Sequence, residues 1–169
     1  HQENTYFDFN RELLVPFKVS IEGPKMAVGD VNGDGLEDFY VGGAKYQAGQ
    51  LYVQKPNGFA LSPQASFKVD SLYEDVDALF FDADGDKDLD LYVVTGGNEF
   101  FDKMPEQFDR LYKNDGKGNF TRDAKALPAM YDNKSVVRPA DFDRDGDIDL
   151  FVGGRVVGYH YGYSPKSYL

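Results

Sequence analysis

The chain has 169 residues, 41% of them hydrophobic and 15% aromatic, which is enough for one domain of ordinary size with a packed core and excludes a disordered polyelectrolyte. Its formal charge of −11 disfavours nucleic acid, whose phosphates would be repelled. The absence of cysteine excludes disulfides, thiolate zinc sites and a thiol nucleophile, and there is no apolar run near 18 residues that would span a membrane.

Taken in order, residues 1–23 read as an N-terminal extended segment, with apolar stretches at Tyr6–Phe9 and Leu13–Val19. Pro16 suits an edge or a bend. Residues 24–72 then form a first repeat. Met26–Val28 enters an acidic loop, Phe39–Val41 leaves it, Gln50–Gln54 is a third strand, Pro56-Asn57-Gly58 is a turn, and Phe59–Leu61 is a fourth strand. Residues 73–133 repeat that order: Asp77–Phe81, loop, Leu89–Val94, Arg110–Asn114, an Asp-Gly turn at Asp115–Gly118, and Asn119–Thr121. Residues 134–169 begin it a third time, with Ser135–Arg138, loop, Ile148–Val152, and the start of a third strand at Ser167–Leu169. No long segment has helical periodicity. Four short antiparallel strands per 50–60 residues is the unit of a β-propeller blade. The expectation is an all-β chain of two blades and an incomplete third, a portion of a ring completed by further blades or by other copies.

The loops carry the chemistry. The first Asp recurs 52 and then 59 residues on, at Asp30, Asp82 and Asp141, and the three loops hold 14 of the 29 acidic residues. Positions 1, 3, 5 and 9 are Asp30, Asn32, Asp34 and Asp38; then Asp82, Asp84, Asp86 and Asp90; then Asp141, Asp143, Asp145 and Asp149. Position 7 is Leu36, Asp88 or Asp147, where a backbone carbonyl serves whatever the side chain. Like charges crowded together need a neutralising cation. An all-oxygen donor set on a tight loop suits Ca²⁺, with its six to eight ligands, better than Mg²⁺ with its strict octahedron or Zn²⁺ with its His and Cys. Up to three ions are expected. A single such loop could be a solvated acidic turn; three copies with the same offsets and the same exit strand point to metal. An EF-hand is excluded, because position 12 is Val41, Val93 or Val152 in a strand where that motif needs a Glu. Gly35 and Gly146 at position 6 supply positive φ; Lys87 stands there in the second loop, at a cost of roughly 1 kcal/mol. The first loop, with Asn32 in place of a carboxylate, is expected to bind most weakly.

These loops, each followed by a strand and a Gly pair (Gly42-Gly43, Gly96-Gly97, Gly153-Gly154), resemble FG-GAP/VCBS repeats, the calcium-binding blades of integrin-α-type β-propellers. Leu111–Phe120 is similar to the outer hairpin of such repeats. The opening segment and Gly153–Val157 resemble bacterial VCBS proteins of the ASPIC/UnbV-associated type. The resemblance implies a propeller, usually of seven blades, with calcium between a blade's first and second strands and ligands on the opposite face.

Alternate loops of up-and-down strands lie on opposite faces, so 44–49, 98–109 and 155–166 form a second face. Phe100, Phe101, Met104 and Phe108, then Arg155, Tyr159, His160, Tyr161 and Tyr163, are candidates there for a protein or carbohydrate ligand, or for packing against neighbouring blades. His160 lacks a Ser or Asp partner in a nucleophilic arrangement. The expected function is a non-catalytic, calcium-stabilised module for recognition or adhesion at the cell surface, in the periplasm or outside the cell. The alternatives are the propeller part of a secreted polysaccharide-active enzyme, or a lectin-like carbohydrate binder.

Overall fold

The structure, a computed structural model, describes residues 2–100 and 103–169. It is built from antiparallel meanders. The first sheet runs β1 (Met26–Gly29), β2 (Asp38–Val41), β3 (Gln50–Lys55) and β4 (Gly58–Ser62), each strand paired with the next. The second sheet repeats this as β5 (Asp75–Phe81), β6 (Asp90–Thr95), β7 (Arg110–Lys113) and β8 (Thr121–Asp123). In the third, β9 (Asn133–Ala140) pairs with β10 (Asp149–Val156), and Val152 bridges to Tyr168, where a third strand begins. The strand order is therefore that of successive propeller-type blades, although the described residues close no ring.

Alternation along each strand sets how the sheets stack. In the first sheet Ala27, Tyr40 and Leu51 are register partners across β1, β2 and β3 and turn toward the second sheet. There they share a core with Ala78, Phe80, Leu91, Val93 and Tyr112. The second sheet's other face, Val76, Tyr92, Val94 and Leu111, packs on Val137 and Val152 of the third. β1 thus lies against β5, and β5 against β9. The outer face of the first sheet has no such cover. Val28, Phe39, Tyr52 and Leu61 are register partners on it, Met26, Val28, Phe59 and Leu61 are exposed, and the Phe39 ring stacks on Tyr52 at 4.9 Å. Phe142 and Phe151 are exposed in the same way on the far side of the third sheet.

Three elements differ from the sequence-based expectation. The helix α1 (Ala65–Val69) was not foreseen, because five residues are too few to show a period. It drops Phe67 into the core between the first two sheets, with its ring 5.2 Å from Tyr40 and 5.0 Å from Tyr112. Burying one such ring is worth about 1.5–3 kcal/mol. β8 begins at Thr121 rather than Asn119. Asp115 holds the backbone N–H groups of Lys117 and Asn119 in the turn, so the ladder starts only at the Lys113–Thr121 pair. The opening segment contains a short 3₁₀ turn at Asp8–Asn10 and loops elsewhere, not a strand. Asp8 is fully buried and accepts from the Ser20 backbone N–H and hydroxyl, which folds the segment back on itself.

Ion pairs on buried carboxylates tie the strands and sheets together. Asp75 at the start of β5 pairs with Arg110 of β7 and accepts the Tyr40 hydroxyl of the preceding sheet. Asp77 in the same strand accepts the Val137 N–H and the Arg138 guanidinium from β9. Lys134, fully buried, donates to the carbonyls of Gln107, Met130 and Asp132 and lies 3.4 Å from Asp109. Truncating one partner of the Asp75–Arg110 or Asp109–Lys134 pair would leave the other charge uncompensated in the core, which is costly.

Candidate metal centre

Each acidic loop is wound by its own side chains. The carboxylate at position 1 accepts the backbone N–H of position 6 in all three: Gly35 to Asp30 at 2.8 Å, Lys87 to Asp82 at 3.0 Å, and Gly146 to Asp141 at 3.3 Å. The side chain at position 5 accepts from position 7, as Leu36 N–H to Asp34, Asp88 to Asp86, and Asp147 to Asp145. The bonds from position 7 to position 5 are Asx turns, the local structure that Asp and Asn favour. The loops require left-handed backbone at two places. Position 6 is left-handed at Gly35, Lys87 and Gly146, and position 4 at Gly33, Gly85 and Arg144. Lys87 at +75° is strained, as its place in the loop implies, and Arg144 at +66° is a second strained position.

Position 9 closes the loop. The Asp there accepts the N–H of position 2 in every copy: Val31 to Asp38, Ala83 to Asp90, and Phe142 to Asp149. In the first two copies its other oxygen accepts an N–H at the end of the third strand, Gln54 to Asp38 and Asn114 to Asp90, both at 2.8 Å. Asp38 and Asp90 are accordingly buried, whereas Asp149 is half-buried.

This division decides which carboxylates converge. Asp82, Asp84 and Asp86 each bring an oxygen within 4.8 Å of the others, and so do Asp141, Asp143 and Asp149. Among the described residues the first loop gathers no such acidic trio, since Asn32 stands where the others have a second carboxylate. Asp90 and Asp145 stand outside the trios. Asp88 and Asp147 at position 7 also stand outside, with Leu36 as their counterpart, so there the backbone carbonyl remains the donor on offer.

The electrostatics differ loop by loop. Slight burial raises the Asp30 carboxyl, but backbone donors from Asn32 to Gly35 outweigh it and hold the group below its ordinary value. A hydrogen bond from Lys113, 2.9 Å away, lowers Asp84. Burial, followed by repulsion from Asp86 and Asp90, pushes Asp88 up to about 6. The clustered oxygens are hard donors of the kind Ca²⁺ takes, and no His or Cys accompanies them.

On the second face, Phe101 lies outside the described residues. Phe100 is buried beneath the Lys45 ammonium, 4.4 Å from its ring centre. Phe108 meets Tyr131 edge to face at 4.7 Å. Arg155 pairs with Glu22 and lies over Phe17. Tyr159 donates its backbone N–H to Glu12 at 2.8 Å and takes Arg11 over its ring. His160 stacks on Tyr163, and both are exposed, as is Tyr161. The opening segment therefore runs across this face, touching the loops of all three repeats: Gln2 at Gln47, Asn4 at Lys45 and Glu99, Arg11 at Asn98, and Glu12 at Tyr159.

The FG-GAP-like repeat model matches residues 30–93 and again 82–152. Each match runs from one acidic loop through the exit strand of the next, so the matched unit is framed by the loops. No curated protein matches the chain. With two matches that together span 30–152, the chain belongs to the FG-GAP-like repeat family.

Proposed function

We propose that this chain is a calcium-binding, non-catalytic β-propeller-type module that serves recognition or adhesion outside the cytoplasm. The observation that carries the reading is the pair of carboxylate trios, Asp82, Asp84 and Asp86 and Asp141, Asp143 and Asp149, set in preformed loops between the first and second strands of successive sheets. Bound there, Ca²⁺ would neutralise each trio and tie loop to strand; its role is stability. The paired carboxylates sit in these loops, where a cation keeps them ionised and unfit as general acids. Loops of this kind fill at the calcium levels found outside cells. No helix among the described residues is long and apolar enough to cross a membrane.

Calcium titration followed by heat unfolding tests the reading. Saturating Ca²⁺ should raise the midpoint by several degrees and a chelator should reverse it. Asp82→Asn with Asp84→Asn, and separately Asp141→Asn with Asp143→Asn, should each remove one binding event, with the first loop the weakest of those left. A midpoint indifferent to both Ca²⁺ and chelator would refute it.

Further repeats, on the same chain or on another copy, are the proposed partners of the two outer faces. Phe39 on the open face of the first sheet stands one residue after Asp38, as Leu91 stands after Asp90, and Leu91 is buried against the preceding sheet. Phe151 stands two residues after Asp149, as Tyr40 stands after Asp38, and Tyr40 is buried against the following sheet.

A further inference from the structure

At the end of the sheets away from the acidic loops, the second and third repeats enclose a cavity of about 330 Å³. Its walls come from the loop after β6 (Lys103), the connection into β9 (Tyr131, Asp132, Asn133) and the stretch that bridges back to β10 (Lys166, Tyr168). Ligand sites usually start at about this volume.

The chemistry of the wall is unlike that of the rest of the chain. Acidic residues outnumber basic ones 29 to 18 overall, yet two lysines and one carboxylate line this cavity. That carboxylate is already engaged: Asp132 accepts the Tyr168 hydroxyl and the Lys166 backbone N–H. Neither lysine ammonium has a carboxylate partner among the described residues, whereas Lys45, Lys113 and Lys134 all do. An anion seated between them would give both a partner. Two tyrosine rings flank it. Phe108 holds Tyr131 edge to face, and the hydroxyl bond to Asp132 fixes Tyr168, so both flat apolar surfaces are set in place in advance. Asn133, 3% exposed, donates its amide to the Gly97 carbonyl and leaves its Oδ1 without a partner among the described residues. The wall therefore offers cations, ring faces and one spare acceptor within one small volume. A simple inorganic anion would use only the cations. A sugar ring bearing a carboxylate would use all three, with its C–H face on a tyrosine and a hydroxyl on Asn133 Oδ1.

We propose that this cavity is a subsite for an acidic saccharide, a short uronic-acid chain whose carboxylates lie between Lys103 and Lys166 and whose rings lie against Tyr131 and Tyr168. The assignment rests on the recognition role proposed above and names its ligand class. The calcium loops lie at the opposite end and take no part.

The test is calorimetric titration of the calcium-loaded chain with trigalacturonate, maltotriose and triglutamate, repeated on the Lys103→Ala/Lys166→Ala double variant. Both lysines are exposed, and the double variant should keep the wild-type unfolding midpoint and calcium affinity. Trigalacturonate should bind at least tenfold more tightly than maltotriose or triglutamate, and at least tenfold more weakly to the double variant. The affinity should fall as salt is added. Undetectable trigalacturonate binding would overturn the proposal, as would equal binding by the double variant, which would move the contact to the calcium loops. Triglutamate binding as tightly would overturn the saccharide class. Failure of calcium binding itself would overturn the module reading, whereas calcium binding without trigalacturonate binding would remove only the subsite.

Discussion

Glu74, 2% exposed on the turn into β5, accepts the Lys45 N–H at 2.7 Å, and burial pushes its carboxyl up from 4.5 to about 8. Glu3, Glu99 and Asp75 add repulsion in the same direction. The folded chain therefore holds this proton through neutral pH, while the unfolded chain releases it near 4.5. Between those two values the folded state binds more protons than the unfolded one, so the group's contribution to stability declines as pH rises and levels off above about 8. Glu74→Gln keeps an oxygen for the Lys45 N–H and has no charge to release. We expect it to be more stable than wild type at pH 8 by at least about 1 kcal/mol, and level with it near pH 4. Urea unfolding at the two pH values measures this, and an unchanged difference between them would show that Glu74 ionises freely in the fold. Nothing in the sequence singles out Glu74. Its surroundings are set by Lys45, Glu3 and Glu99, which the fold brings to it from elsewhere in the chain.

At the scale of the element, the acidic loop was the part the sequence showed best. Its acidic positions, its exit strand and its need for glycine are all local, and three copies expose the pattern. The difference between copies was less legible. Asp38, Asp90 and Asp149 occupy the same position, yet the first two are clamped by Gln54 and Asn114 from the third strand while the last joins a trio. That depends on strand pairing, which a loop motif does not encode. The strain at Arg144 is intermediate: position 4 is Gly in the other two copies, and the comparison was there to make. A Cβ built on Gly33, Gly35, Gly85 or Gly146 meets nothing within 4 Å, so these positions need glycine for φ alone, not for space. Lys87→Gly and Arg144→Gly should therefore each gain stability. About 1–2 kcal/mol of left-handed strain is relieved, offset by about 0.5–1 kcal/mol of added freedom in the unfolded chain. Lys87→Gly also removes a cation beside its trio and should tighten calcium binding there. Denaturant midpoints check both, and a loss of stability in either would mean that its side chain makes contacts worth more than the strain.

For the whole molecule, the outer faces govern behaviour. Met26, Val28, Phe59 and Leu61 at one end of the array and Phe142 and Phe151 at the other are apolar and exposed. The two faces differ, so copies would join head to tail rather than through a shared two-fold. The chain by itself should self-associate as its concentration rises through the micromolar range, and Val28→Glu with Phe59→Glu should suppress this. Sedimentation velocity decides it, and a wild-type chain that stays monomeric throughout would rule it out. The cavity residues are another feature of this scale. Lys103, Tyr131 and Lys166 carry no motif, and only the stacking of the second sheet on the third brings them together.

Arrays of repeats ordinarily unzip from their ends, because each unit holds only its neighbours. The opening segment alters that here. It spans the first, second and third repeats, and the Glu12–Tyr159 contact joins residues 147 apart in sequence. In chain order this segment precedes all three repeats, yet its anchor at Tyr159 lies in the third. It must stay loose, with Val15 and Val19 unburied, until Val156 arrives to cover them. The segment thus settles only after the third repeat has formed, and that late contact latches the three repeats into a single cooperative unit.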